Sequence, residues 1–90
     1  MPQLTSGPSG ADFMPDGQSV VYSMAGSLWL QRIGSDVANE LTHGPGYDYQ
    51  PDVSPDGRHV VFARQHRDTI ELHELELASG KLRQLTKDGA

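Results

Sequence analysis

At 90 residues the chain has room for at most one small domain, and with no cysteine it holds neither a disulfide framework nor a thiolate site. Seven basic residues against twelve acidic ones give a formal charge of −5, which excludes the clustered Lys/Arg footprint of a nucleic-acid binder and disfavours anionic membranes. No apolar run approaches the roughly 20 residues of a membrane helix, and residues 1–7 lack the charged and apolar regions of a signal peptide, which leaves the compartment open.

In chain order, residues 1–10 are a leader holding Gln3-Leu4-Thr5 and a Ser/Gly/Pro loop. Residues 11–14 predict a short strand closed by Pro15-Asp16-Gly17, because Asp-Gly adopts positive φ at low cost and so makes a tight hairpin. A second strand follows over 18–24, with Val20, Val21 and Tyr22 at its centre. Ala25-Gly26 turns into a third strand over 27–33, and Gly34-Ser35-Asp36 into a fourth over 37–42. Residues 43–49 predict a loop between two units. The second unit repeats the pattern: a strand over 50–54, the turn Pro55-Asp56-Gly57, then strands over 58–64, 71–78 and 81–86, before a tail at 87–90.

The repetition has a period. Asp16 and Asp56 lie 40 residues apart (56 minus 16), and Leu41-Thr42 recurs as Leu85-Thr86 after 44 (85 minus 41). Four extra residues therefore belong to the second unit between its second and third strands, at the polar tip over 65–69. Gln3-Leu4-Thr5 reads as the remnant of an earlier fourth strand, so the chain holds two whole units, residues 11–42 and 50–86. Four short antiparallel strands per repeat of roughly 40 residues is the pattern of a β-propeller blade. Blades stack face on face, which accounts for continuous apolar runs such as Val60-Val61-Phe62 in place of strict alternation.

The fold class is thus all-β, and Ser54-Pro55-Asp56-Gly57, Met14-Pro15-Asp16-Gly17 and the two Leu-Thr endings carry a resemblance to blades of TolB-type propellers. Gly26-Ser27-Leu28-Trp29-Leu30 with the segment 40–45 also resembles the propeller that precedes the catalytic domain in some amidohydrolase-related proteins. The resemblance implies a propeller, generally six-bladed and often periplasmic or exported, but such blades occur in transport accessories, peptidases and hydrolases, so it implies no single activity. Met14 stands where the pattern has Ser, which loosens a turn contact in the first unit.

Two blades cannot close a ring, and each end would leave an apolar sheet face uncovered. Closure by self-association is the expectation: three chains for six blades, with four chains for eight as the second choice, each contact heterologous. The surfaces involved would include Phe13, Val20, Tyr22, Leu28, Val53, Val60, Phe62 and Leu72. The alternative is a piece of a longer propeller that associates only because its neighbours are missing.

Among candidate site residues, Asp16, Gly17, Asp56 and Gly57 predict structural turns, each carboxylate bonding nearby backbone N–H groups. Asp12 and Asp52 are equivalent residues of the innermost strands and would recur around a central channel, where oxygen ligands could hold a cation or simply bond neighbouring backbone. His43, Tyr47, Asp48 and Tyr49 fall near a channel mouth, the first place to expect a protein or ligand contact, or else a sealed blade junction. His59, His66 and His73 recur every seven residues but on different strands and a tip, without a metal-binding pattern, so no metal or cofactor is expected. Neither a nucleophile elbow nor a phosphate loop is present. The reading is a non-catalytic binding or scaffolding propeller module that assembles with itself. The alternative is the propeller part of a larger hydrolase or peptidase, where it gates or positions a separate catalytic domain.

Overall fold

The computed structural model describes residues 10–86. The first sheet contains β1 (Ala11–Phe13), β2 (Ser19–Met24), β3 (Ser27–Arg32) and β4 (Ala38–Glu40). The second contains β5 (Tyr47–Val53), β6 (His59–His66), β7 (Thr69–Glu76) and β8 (Leu82–Gln84). Each is an antiparallel meander with its strands in sequence order. Among the described residues no helix is long and apolar enough to cross a membrane.

The meander sorts the connections onto two ends. The Asp16-Gly17 and Asp56-Gly57 turns share one end with the β3–β4 and β7–β8 turns, while the β2–β3 and β6–β7 hairpins and the connector after β4 lie at the other. Side chains alternate along a strand, so the paired valines divide between the two faces. Val21, opposite Leu30, and Leu28, opposite Ser23, face the second sheet; Val60, Phe62 and Leu75 face back toward the first. These five buried side chains form the core, with Met14, Leu30, Leu41, Val53 and Leu77 packed around it. Burying each large apolar side chain contributes about 1.5–3 kcal/mol, so the contact between sheets, rather than either sheet alone, holds the molecule together.

The 44-residue spacing has a specific form. β2 and β3 are six residues long, and β6 and β7 are eight. The four extra residues are thus two more on each strand, paired as Gln65 with Ile70 and His66 with Thr69, and not a loose tip. The strand expected from residue 50 begins at Tyr47, so Tyr47, Asp48 and Tyr49 belong to β5 and not to a loop. A β-bulge interrupts β5 after Tyr49, with Gln50 in the left-handed region at φ 54°.

Candidate functional site

The two Asp-Gly turns are built alike. Asp16 Oδ1 accepts the Gln18 N–H at 2.9 Å and Asp56 Oδ1 accepts the Arg58 N–H at 3.0 Å, while Gly17 and Gly57 take φ of 71° and 74°. Ser54 adds what Met14 cannot: its hydroxyl donates to Asp56 Oδ1 at 2.6 Å and accepts the His59 N–H at 3.0 Å. The Ser54 hydroxyl first, and then the Arg58 N–H, hold the Asp56 carboxyl below its ordinary range.

The repeated Leu-Thr endings also carry a mechanism that sequence reasoning missed. Thr42 Oγ1 accepts the Leu28 N–H at 3.0 Å while Leu41 N–H donates to Leu28 O at 2.7 Å. Thr86 and Leu85 do the same to Leu72, at 2.8 and 2.7 Å. The threonine hydroxyl replaces a ladder partner just past the point where the outer strand stops.

Asp12 joins the two sheets. Its Oδ2 accepts the Val53 N–H at 2.7 Å, so the innermost strand of one blade is pinned to that of the next, while Oδ1 accepts the Phe13 N–H at 3.0 Å. The equivalent Asp52 is exposed. Among the described residues no group of three His, Asp or Glu side chains is placed to hold a metal ion.

The other end of the molecule holds a second tie and a cleft. Asp48, only 1% exposed, is bound by Arg64 through Nε at 2.6 Å and Nη2 at 3.0 Å. This charge-assisted bond keeps the guanidinium pKa above its ordinary value, against burial. The Asp48 backbone reaches the first blade: its N–H donates to Gly26 O at 3.0 Å, and its carbonyl accepts the Ser23 hydroxyl at 2.6 Å. Gly44 and Gly46 let the connector lie along Arg64; a Cβ at Gly46 would come within 2.8 Å of Arg64 Cγ and the Gln65 carbonyl. Asp48 is therefore a buried fastening within β5, which corrects the expectation that placed it on the loop between the units.

Tyr47 is exposed and Tyr49 half-buried. Alternation puts them on the opposite face of β5 from Asp48, with ring centroids 6.2 Å apart and planes tilted by 44°. With Ser23 and Gln65 they line an open cleft of about 380 Å³. His43 stands apart on the connector, exposed, with Nδ1 3.7 Å from the Glu40 carboxylate. The three histidines divide. His66 and His73 line one cavity of about 330 Å³ with Arg64 and Glu71, whereas His59 lies 3.9 Å from Glu76 in another. His73 stacks on Phe62 at 5.7 Å.

No family model matches the chain. Protein Atu1656 of Agrobacterium fabrum is 29% identical over 76 residues, covering 80% of this chain and 26% of that protein. A structure assigned to TolB from Agrobacterium tumefaciens superposes with a TM-score of 0.77 at 28% identity, over 93% of this chain and 32% of that one. The crystal structure of TolB from Acinetobacter baumannii gives a TM-score of 0.75 at 19% identity, over 88% of this chain and 21% of that one. The chain thus spans about a quarter to a third of the length of these relatives or less. Its two sheets are TolB-like propeller blades.

Proposed function

We propose that this chain is a non-catalytic propeller module that binds an extended protein segment and completes its propeller by self-association. The cleft bounded by Tyr47, Tyr49, Ser23 and Gln65 carries the binding part. Tyrosine offers a large contact area with few rotatable bonds and a polar tip, and the Asp48–Arg64 tie fastens β5, which carries both tyrosines, to β6. The non-catalytic part is supported by how the acids are used: Asp12, Asp16 and Asp56 bond backbone N–H groups and Asp48 bonds Arg64. A random-peptide library panned against the chain tests the reading. Selected peptides should lose binding to Tyr47→Ala and Tyr49→Ala while these variants keep their thermal midpoints. Peptides that ignore both substitutions would place recognition elsewhere.

Self-association is supported by two exposed sheet faces on opposite sides of the molecule. Leu28, Val60 and Phe62 are buried inside the chain, but Phe13 is 45% exposed on one outer face and Leu72 42% exposed on the other. Light scattering on a sizing column should give three chain masses, about 29 kDa from 9.8 kDa each. Four masses would indicate eight blades, and one mass at every concentration would refute self-association. The short span relative to the relatives favours a second reading, in which the same faces meet neighbouring blades of a longer propeller; in that reading the propeller would gate or position a separate hydrolase or peptidase domain.

A further inference from the structure

We infer that a second copy of this chain seats its first blade on the exposed face of the second blade, with the Asp52 carboxylate accepting the backbone N–H of Phe13. This rests on the self-association reading above and specifies its contact. The contact is read from the junction the chain already contains. There, Asp12 of the first inner strand accepts the Val53 N–H of the second. One step of the 40-residue repeat turns Asp12 into Asp52, and Val53 is the repeat partner of Phe13. Both members of that next pair are accessible. Asp52 is exposed, and among the described residues the Phe13 N–H donates to its own neighbouring carboxylate, in an exposed position.

The surroundings repeat as well. At the internal junction Pro15 packs 3.3 Å from the place of a Cβ on Gly57, whereas the equivalent space at Gly17 is open. Pro55 of the receiving chain is the repeat counterpart that fills it on the incoming copy. On the receiving face, that of Asp52, lie half-buried Val61 and the exposed Leu72; on the incoming face of the second copy lies exposed Phe13. The two faces match because the equivalents of Val61, Leu72 and Phe13, which are Val21, Leu28 and Val53, already pack together within one chain. The contact joins unlike faces, so it propagates in one direction and closes only by rotation.

The test compares the wild-type chain with Asp52→Ala and Asp52→Asn by light scattering across a concentration series, and follows the Phe13 amide by ¹H–¹⁵N NMR. Loss of a charge-assisted hydrogen bond should weaken each contact about tenfold to a hundredfold in Asp52→Ala. Asp52→Asn, which keeps an acceptor, should lose less. The Phe13 amide resonance should follow Asp52 protonation in the assembled wild type and not in Asp52→Ala. Asp52 is exposed in the single chain, so the thermal midpoint of dilute Asp52→Ala should stay at the wild-type value; a lower midpoint would give Asp52 a role in the chain's own fold and overturn the assignment. A wild type that stays monomeric would sink self-association and this contact together. A wild type that assembles, with Asp52→Ala assembling at the same midpoint, would overturn the Asp52 contact alone.

Discussion

Single residues in this chain carry costs that its neighbours do not relieve. Ala25 and Gly26 form the two-residue tip between β2 and β3, with φ of 54° and 86°. Both central positions of such a tip need positive φ, and alanine tolerates it poorly where asparagine does well. Ala25→Asn should stabilise the chain by about 1 kcal/mol, read from the denaturant midpoint at unchanged m-value. Asp56 sits in the opposite situation. Its folded pKa lies below the ordinary 3.8 because Ser54 and Arg58 donate to the charged form. The stabilisation this brings is fully present above the ordinary value and is lost as pH falls through the folded pKa. Ser54→Ala should move the Asp56 titration, followed by carboxyl ¹³C shifts, back toward the ordinary range and flatten the acid dependence of stability. Turn chemistry of this kind spans only a few residues, so the positions of both turns could be read from Asp-Gly alone. The Ser54 contribution showed in the sequence only as a departure at Met14.

At the scale of strands, what could be read depended on register. The turn residues and the short apolar runs between them located eight strands because both signals are local, and the repeat period aligned the two sets of four. The Asp48–Arg64 tie stayed hidden because β5 carries a bulge. Asp52 pairs with Val61, but Tyr49 pairs with Ala63, so one extra residue lies between them. An unbroken ladder would have set Tyr49 opposite Arg64; the bulge sets Asp48 there instead. A shift of one residue reverses the faces of a strand, which buries the acid and turns the two tyrosines outward. The connector glycines were equally opaque, since their role depends on where the Arg64 stem lies. Arg64→Ala should cost about 3–5 kcal/mol by stranding a buried carboxylate. Replacing Asp48 and Arg64 together by apolar residues should cost much less, and a denaturant series on both variants checks the difference.

For the molecule as a whole, stability and assembly are one equilibrium. A ligand that binds only the folded state raises the apparent stability in proportion to the logarithm of its concentration, and a second copy is such a ligand. The thermal midpoint should therefore rise with protein concentration in the wild type, by scanning calorimetry, and begin to rise in Asp52→Ala only at about tenfold to hundredfold higher concentration. The lengthened β6–β7 hairpin then acquires a meaning beyond its own pairing. It projects two residue pairs further than the β2–β3 hairpin at the same end of the molecule. In a ring made of this chain, long and short teeth would alternate around one rim. Six blades would present a crown of threefold symmetry, and a partner docking onto that rim would meet three equivalent notches, one for each chain.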